Sequence, residues 1–306
     1  MRSALAAAFL CLTWCGLLEP GAAQLRPKII GGEKANVGEF PFMASIRFPM
    51  DHRTASRRGK HFCGGVLIAK NIVLSARHCA NNHKNPDVHI GRYSRTGDEK
   101  VEVFKTKEIR KHKDSKFVAK GVYDYDIALY VLDGDSKARP IGLRSNERCF
   151  QENSGCNFGT VIGWGLTEAG NRESESEDLL KVNVPLIPRS ICDEGIPQLQ
   201  KYGGLRQSMV CAGEVGKDSC VNDSGGPLLV GKSVAGIVSF GYGCGGEAPG
   251  VYASVAQAKA WVEQQMKEIK EGIKPKPKRK SRRRKRGGCN FFPGIGYVPS
   301  GCNRGK

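Results

Sequence analysis

The stretch GKDSCVNDSGGPLLV, residues 216–230, contains a serine in a setting that is typical of a catalytic nucleophile. Ser224 follows Asp223 and precedes two glycines, which allow the tight turn that exposes such a hydroxyl. The apolar run after the glycines predicts a buried strand. Asn222 stands two residues before the serine and adds a polar side chain beside it. The question that this stretch raises is whether Ser224 can act as a nucleophile with Asn222 beside it.

Two other segments supply the groups that a nucleophilic serine needs. LSARHCA, residues 74–80, places His78 at the end of a predicted strand, and DYDIALYVL, residues 124–132, places Asp126 just before another. Acyl transfer needs a hydroxyl, an imidazole base that takes its proton, and a carboxylate that fixes the imidazole tautomer. Each of these residues alone more often has a structural role, so only the three together indicate a nucleophilic site.

The pattern of apolar residues predicts an all-β domain. Short apolar or alternating runs, broken by Gly, Pro, Asn and Asp, extend from Ile29 to about Val255 and favour an antiparallel barrel or sandwich. The period then changes to helical spacing, which predicts a C-terminal amphipathic helix that docks on the core. The residues at helical spacing are Val255, Ala258, Trp261, Val262, Met266 and Ile269.

With the order His78, Asp126, Ser224, these segments resemble the trypsin/chymotrypsin family of serine proteases. The resemblance covers residues 29 to about 271 and implies two antiparallel six-stranded β-barrels with a C-terminal α-helix. The three residues would form a triad in the cleft between the barrels, in a serine endopeptidase that acts through an acyl-enzyme. Four further segments carry the resemblance: IIGGEKANVGEFPFMASI (29–46), GWG (163–165), IVSFGYGC (237–244) and PGVYASV (249–255).

The resemblance also implies a zymogen and an oxyanion hole. Similar proteases are cut before the first isoleucine, which here means cleavage after Lys28 and an ion pair between the new Ile29 ammonium and Asp223. The backbone amides of Asn222 and Ser224 would form the oxyanion hole. The family has glycine where Asn222 stands, and asparagine keeps the amide while adding a side chain, so we expect impaired or narrowed turnover and not its loss.

Asp218 indicates the specificity. It lies six residues before Ser224, where trypsin-like members carry the carboxylate of their primary pocket, and the resemblance adds Ser239, Gly241 and Gly250 as substrate-binding positions. A carboxylate in a narrow slot favours a cationic side chain, because a buried charge needs a countercharge. We therefore expect protein or peptide substrates that are cleaved after Lys or Arg. Arg77 is unusual beside the histidine, and its side chain either points outward or lowers the basicity of the histidine.

The cysteine count favours disulfides over a metal site or a reactive thiol. Ten of the 12 cysteines follow the N-terminal leader, an even number for a secreted chain. The resemblance implies the pairs Cys63–Cys79, Cys192–Cys211 and Cys220–Cys244. The remaining cysteines would then pair locally, as Cys149–Cys156 and Cys289–Cys302. No metal-ligand cluster and no cofactor are indicated.

The chain divides into four predicted segments. The early arginine, the apolar run and the small residues of 1–23 are typical of a signal peptide, 24–28 would be an activation propeptide, 29–271 the protease domain and 272–306 a basic tail. No later stretch is long and apolar enough to span a membrane. We expect a secreted, extracellular and monomeric protein.

The tail carries most of the net charge of +18. Residues 274–306 contain 12 of the 48 Lys and Arg residues and none of the 30 acidic ones. Ten basic residues between 274 and 286 favour binding of heparin-like glycans or another polyanion, with strong salt dependence. RRKRGG alternatively resembles a convertase site, where cleavage after Arg286 would release a twenty-residue peptide.

Asn222, Arg77 and the tail leave a second function class open. A catalytically impaired protease homologue could act as a polyanion-binding or antimicrobial protein. A peptide-hormone precursor with a protease-like scaffold rests only on the last twenty residues. The intact set of His78, Asp126, Ser224 and Asp218 favours the protease.

Overall fold

The computed structural model describes most of the predicted protease domain. The described residues are 31–81, 85–97, 101–119, 121–168, 171, 173–220 and 222–274. The predicted signal peptide, the propeptide, Lys28 and Ile29, and the Cys289–Cys302 pair lie outside them.

Sixteen strands and three α-helices form the described part of the chain. The strands are β1 (Glu33–Lys34), β2 (Met43–Arg47), β3 (His61–Ala69), β4 (Ile72–Ser75), β5 (Asp87–Ile90), β6 (Glu102–Lys111), β7 (Lys116–Ala119), β8 (Val122–Asp124), β9 (Ala128–Leu132), β10 (Gly142–Leu143), β11 (Phe158–Gly163), β12 (Leu180–Ile187), β13 (Met209–Ala212), β14 (Pro227–Val230), β15 (Ser233–Phe240) and β16 (Gly250–Ser254). The helices are α1 (Arg189–Gly195), α2 (Pro197–Gln200) and α3 (Val255–Lys270). Short 3₁₀ turns occupy Ala55–Arg57, His78–Asn81 and Arg148–Phe150.

Six strands close the first barrel in the order β2, β3, β4, β9, β6 and β5. Each pairing is antiparallel, with Met43 opposite Val66 and Leu74 opposite Leu129. Every residue of β2 and of β9 is buried. Removing such side chains from water stabilises the barrel by about 25 cal/mol for each Å² of apolar area.

The second barrel follows the order β12, β11, β14, β15, β16 and β13, and the pairing of β12 with β13 closes it. Strands β1 and β10 attach to this ring at β12 and β15. Val161, Leu180, Val184 and Leu228 are buried in its core. Two closed six-stranded antiparallel barrels followed by a terminal helix confirm the predicted fold class.

The two barrels meet where β3 faces the turn before β14. The amide of Gly64 donates a hydrogen bond to the carbonyl of Ser224 at 2.8 Å. A Cβ on Gly64 would lie 2.9 Å from Cα of Gly226, so only glycine permits this approach. The indole of Trp164 donates to the carbonyl of Tyr93 at 2.9 Å, a second link between the barrels. These contacts hold the residue 224 turn against the first barrel.

Helix α3 confirms the change of period that the sequence predicts. The hydroxyl of Ser254 caps its first turn by accepting a hydrogen bond from the amide of Gln257 at 3.3 Å. Its buried residues are Val255, Ala258, Trp261 and Val262. Among the described residues, none of the helices combines the length and the apolar character that crossing a bilayer requires.

Four disulfides brace the domain, and they are the pairs that the sequence predicts. They are Cys63–Cys79, Cys149–Cys156, Cys192–Cys211 and Cys220–Cys244. The first ties β3 to the turn that carries His78. The last ties the segment before Ser224 to the connection between β15 and β16. Closing a loop of this size stabilises a fold by about 3 kcal/mol in the chain-entropy model.

Candidate active site

His78 and Asp126 form a hydrogen-bonded pair at one edge of the first barrel. His78 follows β4 and Asp126 precedes β9, and these strands pair with Ser75 opposite Ala128. Nδ1 of His78 lies 2.7 Å from Oδ2 of Asp126, and the amide of His78 donates to Oδ1 at 2.8 Å. Because Nδ1–H faces the carboxylate, Nε2 is the nitrogen that can accept a proton.

Asp126 is 1% exposed and is surrounded by hydrogen-bond donors. Ser239 donates its hydroxyl to Oδ2 at 2.6 Å, in addition to the two bonds from His78. A buried carboxylate requires such partners. Ser239 also lines the adjacent cavity, so it serves both the predicted pocket and the carboxylate. The sequence does not reveal the second contact, because the two residues are 113 positions apart.

Ser224 lies on a turn that is packed against the first barrel. The next residue, Gly225, has a φ of 81°, and a Cβ there would lie 2.2 Å from Oγ of Ser75. Sγ of Cys79 lies 3.6 Å from Nε2 of His78 and 3.7 Å from the carbonyl oxygen of Ser224. One disulfide sulfur therefore touches both the imidazole and the serine backbone, which brings His78 and Ser224 together.

Asn222 adopts a left-handed backbone conformation with a φ of 76°. Its carbonyl accepts a hydrogen bond from Nε2 of His61 at 3.0 Å, while Nδ1 of His61 lies 2.8 Å from the hydroxyl of Ser45. Burial lowers the pKa of His61 to about 4. The ring is therefore neutral at pH 7, Nε2 donates, and Nδ1 accepts from Ser45.

The two predicted oxyanion-hole amides have no protein acceptor among the described residues. Neither the amide of Asn222 nor that of Ser224 donates a hydrogen bond there. The side chain of Asn222 donates through Nδ2 to Glu175 at 2.5 Å. The side chain of Asn222 is therefore bound by another part of the protein.

A cavity of about 280 Å³ lies beside Ser224. Of the predicted substrate-binding residues, it contains Ser239 and Gly241. Its lining is Ser219, Cys220, Ser224, Val238, Ser239, Phe240, Gly241, Gly243 and Cys244.

Asp218 is not part of this lining and is 2% exposed. The amide of Gly245 donates to its Oδ2 at 3.3 Å, and Oγ of Ser219 lies 3.4 Å from Oδ1. Burial raises the pKa of the Asp218 carboxyl to about 7. A Cβ on Gly250 would lie 2.5 Å from Oδ1, so glycine is required beside the carboxylate. The structure therefore places Asp218 and Gly250 next to each other, and neither is among the residues that line the cavity.

Asp223 is buried and accepts hydrogen bonds from two backbone amides. Gly165 donates to Oδ1 at 2.8 Å and Cys220 donates to Oδ2 at 2.9 Å. Burial raises the pKa of the Asp223 carboxyl to about 6. A Cβ on Gly163 or Gly165 would lie 2.1 Å from its oxygens, which explains the glycines of the GWG segment. In the described part of the chain no cationic side chain pairs with Asp223.

Arg77 is half-buried and packs against a neighbouring tyrosine ring. Its guanidinium carbon lies 4.5 Å from the centroid of the Tyr123 ring, a cation–π contact with the β7–β8 hairpin.

Two other features resemble sites but hold no comparable chemistry. A larger cavity of about 560 Å³ contains no serine, cysteine or histidine in its lining and lies beside the first described residues, Gly31 and Gly32. Among the described residues, the sulfurs of Cys63 and Cys79 lie near His78 in a metal-like cluster. Because they form a disulfide, they are not thiolate ligands.

The fold is that of a two-barrel serine protease, and comparisons with known proteins agree. The family model described as Trypsin matches residues 29–262. Trypsin 5G1 of Aedes aegypti is 35% identical over 265 residues, which cover 80% of this chain and 90% of that protein. Hypodermin-B of Hypoderma lineatum is 31% identical over 259 residues (82% and 93%), and a trypsin of Saccharopolyspora erythraea is 32% identical over 251 (80% and 99%). The chain belongs to the trypsin family of serine proteases.

Proposed function

We propose that this protein is a secreted, monomeric serine endopeptidase that cleaves protein substrates after Lys or Arg. The observation that carries the proposal is the His78–Asp126 hydrogen bond of 2.7 Å beside the turn of Ser224. This arrangement supplies a base, its orienting carboxylate and a hydroxyl in one cleft.

His78, Asp126 and Ser224 act as the catalytic triad. Oγ of Ser224 attacks the scissile carbonyl carbon while its proton passes to Nε2 of His78. The carbonyl electron pair becomes an oxyanion, and its return expels the amine, which takes the proton from His78. Water then attacks the acyl-serine by the same route and restores the hydroxyl. Asp126 stays ionised and stabilises the imidazolium.

The amides of Asn222 and Ser224 stabilise the oxyanion. This assignment is supported by the fact that neither amide donates a hydrogen bond to another described residue. Preorganised donors matter because they face charge that develops only in the transition state, and removing one typically lowers turnover about 10²–10³-fold. A residue with a Cβ is disfavoured in the left-handed conformation that Asn222 adopts. The enzyme therefore turns over more slowly with Asn222 than it would with glycine at this position.

Asp218 selects the cationic side chain. A buried carboxyl with a raised pKa gains most when a cation displaces its proton. Glycine at 241 leaves the adjacent cavity open to a long side chain, and glycine at 250 puts no side chain against Asp218. Hydrolysis of matched amides by the chain cut after Lys28 tests this: Arg and Lys substrates should exceed Phe or Ala by at least about 10²-fold. A preference for Phe or Ala would contradict the assignment.

Cleavage after Lys28 activates the chain. The new Ile29 ammonium pairs with Asp223, which is buried without a described countercharge. The start of the described chain contacts the segment that precedes Asp223, since a Cβ on Gly31 would lie 2.5 Å from the carbonyl oxygen of Gly216. Ordering of the Asp218–Ser224 segment follows from this pair.

The basic tail binds polyanions. Its ten cationic residues between 274 and 286 support this proposal. The secreted chain should elute from heparin at higher salt than a chain that ends at Ile273, because each bound cation releases a counterion. Equal elution of both chains would contradict it, and mass spectrometry that finds no chain beyond Arg286 would favour the released peptide.

A further inference from the structure

The backbone at Asn222 is in a conformation that residues with a Cβ rarely adopt. Its φ of 76° lies in the left-handed region, where a Cβ crowds the following carbonyl and where asparagine and aspartate are the better-tolerated side chains. Other backbone geometries therefore compete with this one. The amide keeps its direction only if neighbouring groups hold the residue.

Two neighbouring side chains hold Asn222, one by its backbone carbonyl and the other by its side-chain amide. His61 donates from Nε2 to the Asn222 carbonyl at 3.0 Å, which fixes the peptide that follows. Glu175 accepts from Nδ2 of Asn222 at 2.5 Å, which fixes the side chain. A hydrogen bond to an ionised carboxylate is stronger than one between neutral groups.

Glu175 is itself held in place by Arg95, which follows β5 of the first barrel. Its second carboxylate oxygen lies 3.0 Å from Nη1 of Arg95. Arg95 also donates from Nε to the carbonyl of Ser176 at 2.9 Å. The backbone of Glu175 forms a β-bridge with Leu166, which is 2% exposed. The carboxylate therefore approaches Asn222 from a fixed position.

We propose that Glu175 is a positioning residue that fixes the oxyanion-hole amide by binding the side chain of Asn222. The inference rests on the proposed function, which assigns that amide to the oxyanion hole. Glycine at 222 has no side chain that Glu175 could bind. The contribution of Glu175 therefore exists only while residue 222 is asparagine.

Loss of the Glu175 contact should weaken stabilisation of the transition state and leave binding in the primary pocket unchanged. The oxyanion forms only during acyl transfer, so a misdirected amide lowers kcat more than it raises KM. Among the described residues, Asp218, which binds the substrate side chain, forms no hydrogen bond or ion pair with Glu175 or Asn222. Binding of benzamidine at Asp218 should therefore not depend on Glu175.

A double-mutant cycle on the full chain cut after Lys28 tests the coupling. The four proteins are the wild type, Glu175→Ala, Asn222→Gly and the double variant. Glu175→Ala should lower kcat for an Arg amide about tenfold in the wild type, less than the loss of a whole donor. The same substitution should change kcat by less than about twofold in Asn222→Gly. The inhibition constant of benzamidine should be the same in all four.

Two controls separate positioning from a general effect on the loop. Glu175→Gln keeps an oxygen acceptor for Nδ2 and should lose less activity than Glu175→Ala. Glu173→Ala, two residues earlier on an exposed position, should leave kcat unchanged. The proposal is overturned if Glu175→Ala lowers kcat equally in both backgrounds, or if it has no effect in the wild type.

Failure of the proposed function is recognised separately. In that case the wild type hydrolyses the amide no faster than Ser224→Ala. Hydrogen exchange of the Asn222 side-chain amide, followed by NMR, then decides the contact. Faster exchange in Glu175→Ala than in the wild type supports it, and equal exchange overturns it.

Discussion

Asn222 is held by its neighbours on both its backbone and its side chain. Its side chain binds Glu175, its carbonyl binds His61, and its amide has no acceptor among the described residues. A side chain in place of glycine is therefore compatible with an intact donor pair. The two buried carboxyls Asp126 and Asp218 differ in their hydrogen-bond donors. Asp126 accepts three short hydrogen bonds, whereas the donors to Asp218 lie 3.3 and 3.4 Å away.

Ser239→Ala removes one donor from the buried Asp126 carboxylate. We expect the free energy of unfolding to fall by about 1–3 kcal/mol, because a buried acceptor loses a partner. Chemical denaturation in the Ser224→Ala background measures this without self-digestion. As a control, Ser233→Ala in the same strand removes a hydroxyl that donates to the carbonyl of Val230, and it should have an effect below about 0.5 kcal/mol. Equal effects would contradict the role of Ser239.

The Asp218 carboxyl, with a pKa of about 7, predicts the pH dependence of cation binding. Below that pH the empty pocket holds a proton that a cation must displace. Affinity for benzamidine should therefore fall about tenfold for each pH unit below 7 and level off above it. Titration of the inhibition constant measures this. The dependence should vanish in Asp218→Asn, and a flat profile in the wild type would contradict the assignment.

At the scale of elements, the site depends on strand ends and turns. Strand β4 leads directly into the turn of His78, β9 begins just after Asp126, and β14 begins just after the turn of Ser224. The hairpin β7–β8 binds Arg77 through the ring of Tyr123. The helical period after residue 254 and the turn glycines could be predicted from sequence because they are local signals. The bond between Asn222 and Glu175 could not, because its register depends on how two distant segments pack.

The N-cap of α3 gives a prediction at this scale. Ser254 is 1% exposed, and its hydroxyl accepts from the Gln257 amide and donates to Glu147. Ser254→Ala should lower the free energy of unfolding by about 1–2 kcal/mol, since it removes a cap and a buried bond. Thermal unfolding measures it. Ser190→Ala, which removes an exposed bond to Glu152, should change stability by less than about 0.5 kcal/mol, and the same loss in both would contradict the cap.

At the scale of the whole molecule, the sequence predicts the two barrels, and the structure brings the predicted His78 and Asp126 within hydrogen-bond distance. The segments around His78, Asp126, Ser224 and Asp218 are short and characteristic, so the sequence alone singles out each of these residues as a candidate. Closure of the second barrel by β12 and β13, and the burial of Ser239 against Asp126, depend on long-range packing. No local pattern contains that information.

Cleavage after Lys28 should change how the stability of the whole chain depends on pH. Burial raises the folded pKa of Asp223 to about 6 from an ordinary value of 3.8. An unpaired Asp223 therefore contributes stability below pH 3.8 that is lost as pH rises to about 6, on the order of 3 kcal/mol. Pairing with the Ile29 ammonium removes this loss.

Thermal unfolding of Ser224→Ala, uncut and cut, measures this effect of cleavage. The difference in Tm should grow between pH 4 and 6 and then stay constant. A difference that does not depend on pH would contradict the ion pair.

The most direct test of the central claim is active-site titration of the chain cut after Lys28. 4-Nitrophenyl 4-guanidinobenzoate combines a cation for Asp218 with an ester that acylates a nucleophilic serine. A burst of about one nitrophenolate per chain, with the acyl group located on Ser224 by mass spectrometry and no burst in Ser224→Ala or His78→Ala, is the predicted result. No burst and no adduct on Ser224 would contradict the assignment of a working triad.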